Sequence, residues 1–192
     1  NPAFELAYWS WGLKKANDWR ERMGRERNAD WDRMADQMAP WPVVNGVYVE
    51  AESVLEKDGG HPTQLAAYGF LPASAYLDKE VMRKTLRHVL DNWDWADTWG
   101  WDFPLIAMTA IRLNEPEWAL EALLKSVQKN TYLPNGHNFQ NEGLPLYLPG
   151  NGGLLTVVAM MCAGWDGCTE GNPGFPKNGQ WNVKWEGLKP AL

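Results

Sequence analysis

The sequence predicts an all-α fold, and three observations support this class. Apolar side chains recur at helical spacing in about seven segments of the 192-residue chain. Capping residues or first-turn prolines precede most of these segments, and glycine or proline follows several of them. Residues that favour β-strands are concentrated in one short stretch. We therefore expect helices that pair through short links, as in stacked α-hairpins.

The first two helices are predicted from their apolar spacing and their end signals. Residues 2–23 carry apolar side chains broadly at helical spacing, with Asn1 as the expected N-cap and Gly24 as the expected end. Residues 29–38 carry an apolar stripe behind the expected cap Asn28. Both helices are expected to bury one face.

A short β-like excursion is expected near residues 43–52, after these helices. Four valines and a tyrosine surround the pair Asn45-Gly46, which favours the tight turn of a hairpin. Five further helices are then predicted over residues 62–68, 79–92 (capped by Asp78), 103–113, 116–127 and 152–164.

One domain is expected over residues 1–165, followed by an extended tail over 166–192. The tail is rich in glycine and proline, and Trp181, Val183 and Trp185 are expected to dock as a strand. The chain opens on a helix-like start without an initiator methionine or a signal-peptide pattern, so we expect a piece of something longer.

Composition narrows the classes of function. A net charge of −6 disfavours a nucleic-acid partner, because binding to phosphate backbones depends on clustered Lys and Arg. No membrane anchor is expected, because the longest apolar run, residues 154–165, is too short to span a bilayer. No cofactor fingerprint or metal-ligand spacing occurs, so we expect neither group. Cys162 and Cys168 are either free or joined locally, which leaves the redox compartment open.

Residues 92–103 hold the most informative pattern, because four tryptophans and three aspartates lie among them. A pyranose ring rests its C–H face on an indole, while its hydroxyl groups need acceptors such as carboxylates. Trp99, Trp101, Asp97 and Asp102 are therefore candidate sugar-binding residues. The alternative is an aromatic core segment whose aspartates cap helices, with Asp102 as the N-cap of the next helix.

Two acids follow the β-like excursion. Glu50 and Glu52 come after an apolar run. A carboxyl group whose base lies in apolar surroundings has the raised proton affinity that a general acid needs. The alternative is that both are exposed charges.

Histidines and amides mark two further candidate regions. His61 and Gln64 follow a Gly-Gly pair at a predicted helix start, where the imidazole either binds a ligand hydroxyl or caps the helix. His137 and Asn151 lie in segments rich in asparagine and glycine. Their side chains suit the recognition of a polyhydroxyl ligand, although such residues also form turns. All four are candidate substrate-binding residues.

The order of several motifs resembles the second half of the catalytic domain in glycoside hydrolase families 65 and 95, within the six-hairpin glycosidase superfamily. Residues 1–9 (NPAFELAYW) resemble the family 95 segment Asn-x-Asn-x-Gln-x-x-Tyr-Trp, and residues 61–72 (HPTQLAAYGFLP) resemble its His-rich segment. Residues 100–102 and the following helix, which ends in Arg112-Leu113, resemble the Gly-Trp-Ser helix. Residues 150–153 (GNGG) resemble the Gly-Asn-Phe-Gly-Gly turn.

This resemblance implies an inverting glycoside hydrolase that acts on oligo- or polysaccharide. Glu50 falls near the family's proton-donating glutamate, with Glu52 as the fallback. Pro149 stands where family 95 has the aspartate that supports the attacking water, and Ala3 replaces an asparagine of the first motif. These departures favour a separately evolved glycosidase branch.

The catalytic base has to come from another position if inversion operates. We choose Asp102, with Asp97 second, because both lie beside the tryptophans. In an inverting enzyme the acid and the base stand roughly 6.5 to 9.5 Å apart, with room for water between them.

The resemblance also implies an (α/α)6 toroid, of which about seven helices would form only a part. An N-terminal portion of the catalytic domain or a second copy of the chain is expected to cover the exposed helix faces. Two other functions stay open at this point. One is a non-catalytic carbohydrate-binding fragment, and the other is a lyase or epimerase on the same toroid.

Overall fold

The computed structural model describes residues 1–54 and 58–192, and it confirms an all-α fold with short β excursions. The helices of these residues are α1 (Ala3–Arg22), α2 (Ala29–Asp36), α3 (Thr63–Gly69), α4 (Lys79–Asn92), α5 (Asp102–Arg112), α6 (Pro116–Leu123) and α7 (Leu148–Ala163). The strands are β1 (Val43–Val44), β2 (Val47–Tyr48), β3 (Thr131–Tyr132) and β4 (Asn138–Phe139). A short 3-10 helix covers Gln128–Asn130.

Helices α1, α3, α5 and α7 lie side by side in a row, and α2 and α6 pack against α1 and α5. The Thr109 hydroxyl donates to the Leu65 carbonyl, and the Tyr68 hydroxyl donates to the Arg112 carbonyl. Because both residue pairs are matched in the same order, α3 and α5 run in the same direction. The starts of α3 and α5 therefore share one edge of the row.

Helix α5 is the centre of the fold, and all of its residues are buried. It packs against α3, α4, α6 and α7, which explains why apolar side chains cover most of its circumference. Burial on several sides follows from this central position. Its first residue, Asp102, is the buried acid among these side chains.

Two of the three predicted N-caps are confirmed. The Asn28 side chain accepts from the amides of Asp30 and Trp31, and Asp78 caps α4 in the same way. The prediction for Asn1 was wrong. Pro2 occupies the N-cap position of α1 without a side-chain cap, and the Asn1 amide instead donates to Glu52 Oε1.

Helix α6 ends at Leu123, four residues before its predicted end. The Asn130 side chain donates to the carbonyls of Leu123 and Lys125, and so satisfies groups that a longer helix would have bonded internally. Helix α7 begins four residues earlier than predicted, at Leu148, because Pro149 fits the first turn of a helix.

The β-like excursion is confirmed as a two-stranded antiparallel hairpin of β1 and β2. Asn45 and Gly46 form its turn with φ angles of 51° and 81°, a left-handed pair that suits asparagine and glycine. The hairpin is fixed to α4, because the Tyr48 amide donates to Thr85 Oγ1 at 2.8 Å.

The tail lies against the end of α5 without the predicted strand. Residues 181–185 are all described and form no strand. The Trp181 ring packs on Phe175 at 5.2 Å, and Trp185 Nε1 donates to Asn172 Oδ1. Cys162 and Cys168 are free thiols. No helix in the described part of the chain has both the length and the apolar character needed to cross a membrane.

Candidate functional site

The candidate site lies at the shared edge where α3, α5 and α7 begin. His61 precedes α3, Trp99 and Trp101 precede α5, and Tyr147 precedes α7. Asp102, the first residue of α5, lies beneath them with no exposed surface. Segments that are far apart in the sequence therefore meet because the starts of α3, α5 and α7 lie together.

His61 and Asp102 form the central pair of the site. His61 Nδ1 lies 3.0 Å from both carboxylate oxygens of Asp102. The Trp99 backbone amide donates to Asp102 Oδ2 at 2.7 Å. The His61 side chain is 37% exposed while that of Asp102 is fully buried, so the imidazole separates the carboxylate from solvent.

Asp102 does not act as a helix cap. The N-cap position of α5 is Trp101, which makes no side-chain cap bond, and the Asp102 carboxylate bonds back to Trp99 and across to His61. A capping carboxylate would instead accept from the amides of the first helical turn. The Asp102 carboxylate is therefore positioned to bond His61, and it does not cap the helix.

Burial raises the pKa of the Asp102 carboxyl to about 6, because an ionised carboxylate loses its hydration there. The Trp99 amide and the His61 imidazole oppose this rise by stabilising the charge, while the nearby Asp97 adds to it. Asp102 therefore changes its ionisation in mildly acidic solution.

This raised pKa predicts a pH-dependent stability. A carboxyl whose pKa is higher in the folded than in the unfolded protein favours folding at low pH, and this contribution is lost as the pH rises through the folded pKa. The difference between 3.8 and about 6 corresponds to roughly 3 kcal/mol. We expect the unfolding free energy of the wild type, measured in urea relative to Asp102→Asn, to fall between pH 4 and 6. A difference that does not vary with pH would contradict the assigned pKa.

Aromatic rings surround the His61–Asp102 pair. The ring centroids of His61 and Trp101 are 4.9 Å apart, and those of His61 and Trp99 are 6.4 Å apart. The Trp99 ring also contacts Tyr147 at 5.3 Å, and Lys129 Nζ lies 5.3 Å from its centroid. The imidazole thus lies beside two indole rings, and the Lys129 ammonium lies close to one of them, that of Trp99.

Space for a ligand opens beside Trp101. A mostly apolar cavity of about 430 Å³ is lined by Phe70, Trp101 and Leu105 near the edge of the row, and by Arg112 at the far end of α5. This volume falls in the range of small-molecule sites. The cavity borders Trp101, but neither His61 nor Asp102 lines it.

Buried amides fix the loop that carries the two tryptophans. The Gly100 amide donates to Gln140 Oε1 at 3.0 Å, and Gln140 Nε2 donates to Asn138 Oδ1 at 2.9 Å. Asn151 Oδ1 accepts from the Asn138 amide, and its Nδ2 donates to the Gly136 carbonyl. Asn151 is therefore bonded to the loop before α7, and its predicted role in substrate binding stays a prediction.

Glu50 and Gln64 line a neighbouring cavity of about 340 Å³. Gln64 Oε1 is buried and has no hydrogen-bond partner among the described residues, so this cavity presents an unsatisfied acceptor. Trp93 also lines the cavity, and its Nε1 donates to the Gly60 carbonyl next to His61. The Glu50 cavity therefore adjoins the segment that carries the imidazole.

The other predicted site residues are Glu52, Asp97 and His137. The exposed Glu52 carboxylate pairs with the Asn1 amine at 2.8 Å, and this amine is the main cause that lowers the Glu52 pKa to about 2. Asp97 acts on the site by raising the pKa of Asp102. His137 Nδ1 lies 3.3 Å from the Asn135 amide in the loop before α7. Their roles in substrate binding stay predictions.

Several residues of the site were not predicted from the sequence. Phe70 packs on Trp101 with ring centroids 6.3 Å apart, and Tyr147 and Lys129 border Trp99. The amides of Asn138 and Gln140 hold Gly100 in place. The density of asparagine and glutamine in residues 135–141 was the one sequence signal for this scaffold.

No protein-family model matches the chain, and no curated protein matches it either. Among the described residues, no group of three or more His, Cys, Asp or Glu side chains is placed to hold a metal ion.

Proposed function

We propose that this chain forms part of the catalytic domain of a glycoside hydrolase that acts on an oligo- or polysaccharide. The observation that carries the proposal is the pair of His61 and buried Asp102, flanked by Trp99 and Trp101 where three helices begin. Flat indole faces accept the apolar side of a sugar, and the imidazole, a lysine and nearby amides suit its hydroxyls.

Asp102 acts through His61 in the proposed mechanism, because the carboxylate has no exposed surface. When Asp102 is ionised, it can only accept, so His61 Nδ1 carries the proton between them. Nε2 then keeps its lone pair and can take a proton from water. His61 is thus the proposed base, and Asp102 is the residue that positions it.

Glu50 is the proposed acid. In its protonated form it donates a proton to the glycosidic oxygen as the bond from the anomeric carbon to the leaving sugar breaks. His61 Nε2 takes one proton from a water molecule, whose oxygen bonds to the anomeric carbon. The products are a hemiacetal and an alcohol, and proton exchange with solvent returns both groups to their starting forms.

The helix row supports a partial (α/α)6 toroid as the scaffold. The parallel helices α3 and α5, flanked by α1 and α7, are arranged as inner helices of such a ring would be, with α2 and α6 outside. Leu155 on α7 and Trp9 on α1 are exposed. We propose that another portion of the catalytic domain or a second copy covers α1 and α7, the two helices at the ends of the row.

Replacing Glu50 by the neutral residue glutamine tests its proposed role as the proton donor. We expect Glu50→Gln to lower hydrolysis by about 10²- to 10⁴-fold, because an amide cannot donate a proton in place of the carboxyl group. Release of reducing ends from a panel of plant, algal and bacterial polysaccharides measures this. The matched control is Glu170→Gln, an exposed glutamate of the tail, which should retain activity. Full turnover by Glu50→Gln, with loss in Glu52→Gln, would transfer the role to Glu52.

A non-catalytic sugar-binding function is the second candidate, and the complete burial of Asp102 favours it. A glycan array combined with the hydrolysis assay separates the two functions. Binding without release of products would assign a binding module, and unsaturated products would assign a lyase that uses His61 to abstract a proton.

A further inference from the structure

We infer that the substrate is an extended glycan that crosses the site in both directions, so that an internal bond is cleaved. This inference rests on the proposed function and concerns the length of its substrate. It is carried by a continuous series of rings, here called the aromatic file, which consists of Tyr8, Phe4, Phe70, Trp101, His61, Trp99 and Tyr147.

Consecutive rings of the aromatic file are in contact. The centroid distances are 5.8 Å for Tyr8 and Phe4, 6.3 Å for Phe4 and Phe70, 6.3 Å for Phe70 and Trp101, 4.9 Å for Trp101 and His61, 6.4 Å for His61 and Trp99, and 5.3 Å for Trp99 and Tyr147. The file thus connects α1 at one end of the helix row with α7 at the other.

Three rings of the aromatic file are exposed to solvent, and the other four are half-buried. Tyr8 is 49% exposed, Phe70 is 38% exposed and Trp99 is 37% exposed. Single exposed aromatic residues are ordinary, but three exposed rings joined through half-buried rings in one series mark an interaction surface. Because sugar rings stack on aromatic faces, each exposed ring can serve as a platform for one unit of a glycan.

The position of His61 within the file determines which bond is cleaved. In the series of ring contacts, Trp101, Phe70, Phe4 and Tyr8 lead from His61 toward α1, and Trp99 and Tyr147 lead from it toward α7. A substrate that ended at His61 would use the platforms of one side alone. Platforms on both sides hold sugar units before and after the reacting bond, which is the arrangement of an endo-acting enzyme.

The end of the file at α1 is separated from the reacting groups by intervening rings. Tyr8 and Phe4 contact neither His61 nor Asp102 directly, and Phe70 is connected to the imidazole through Trp101. Removing Tyr8 should therefore weaken the binding of long glycans and leave the handling of a disaccharide unchanged.

Length-dependent binding tests the inference. The probes are size ladders from disaccharide to hexasaccharide of β-1,4-glucan, xylan, mannan and α-1,4-glucan, titrated by calorimetry into the protein. We expect affinity to rise with length, and Tyr8→Ala and Phe70→Ala each to weaken hexasaccharide binding about five- to tenfold. The matched control is Trp19→Ala, which removes an exposed ring of α1 outside the file. It should leave binding unchanged.

Each outcome either supports or overturns the inference. Equal affinity for short and long members, unaltered by Tyr8→Ala and Phe70→Ala, would overturn it and leave the proposed function standing. Release of terminal sugars alone would do the same. If the variants change the oligomeric state and leave glycan affinity unaltered, the aromatic file is a protein-packing surface and the inference is overturned. Binding to none of the ladders, by a protein that melts cooperatively, would overturn both proposals.

Discussion

Replacement of Asp102 by asparagine is expected to lower the rate of glycoside hydrolysis by about 10²- to 10⁴-fold, the usual contribution of a general base. The asparagine amide can donate to His61 Nδ1, which stabilises the tautomer with the proton on Nε2. That tautomer has no lone pair directed toward water. Because Asp102 is buried beneath His61, we expect kcat to fall while KM changes little.

The pH profile distinguishes this role from a purely structural one. In the wild type, the acidic limb of kcat should reflect the ionisation of Asp102, whose pKa is raised to about 6 by burial. In Asp102→Asn this limb should shift, because the carboxyl group is absent. A variant that is merely less well folded would lose activity equally at every pH.

Asp94→Asn is the matched control for Asp102→Asn. Asp94 belongs to the same tryptophan-rich segment, is exposed, and accepts from the Ala96 amide through Oδ1, an atom that asparagine keeps. We expect wild-type kinetics from this control. Equal losses in both variants, or full activity in Asp102→Asn, would remove Asp102 from the mechanism.

Local features of the fold were predictable because neighbouring residues determine them. The caps at Asn28 and Asp78 and the hairpin turn at Asn45-Gly46 depend on side chains and φ angles within a few residues. The end of α6 was not predictable in this way. It depends on the side chain of Asn130, which reaches back across the following loop.

The composition of the site was only partly predictable, because it depends on contacts between residues that are distant in the sequence. His61 and Asp102 were each candidates, but their pairing joins residues 41 positions apart and requires α3 and α5 to lie parallel. The choice between a helix cap and a site residue for Asp102 likewise depends on the partner that the fold supplies. Phe70 and Tyr147 carry no local signal, since each becomes part of the site through a tryptophan of the segment before α5.

Gly100 lies between Trp99 and Trp101, and its replacement by alanine is expected to destabilise the protein. A methyl carbon at Gly100 would overlap Asn138 Oδ1 and lie 2.7 Å from Gln140 Nε2. Both amides are buried and hydrogen-bonded, so neither can move freely. Overpacking costs about 1–3 kcal/mol, and loss of the bond from Gly100 to Gln140 adds about 1 kcal/mol.

We therefore expect Gly100→Ala to lower the unfolding free energy by about 2–4 kcal/mol, and Tm by roughly 5–15 °C in calorimetry. Gly152→Ala is the matched control, because a methyl group there meets no atom within 4 Å and lies inside α7. That control should gain about 0.5–1 kcal/mol, since alanine favours a helix more than glycine does.

A double variant identifies the amide that opposes the methyl group. Asn138→Ala alone should destabilise the protein, because its side chain bonds to the carbonyls of Lys129 and Thr131 and accepts from Gln140. In that background Gln140 Nε2 still lies close to the methyl group of Gly100→Ala, but the overlap with Asn138 is removed, so the additional cost should be smaller than in the wild type. Strictly additive costs would mean that Asn138 does not set the spacing of the tryptophan loop. Strong coupling would show that the buried amides position Trp99 and Trp101 around the His61–Asp102 pair.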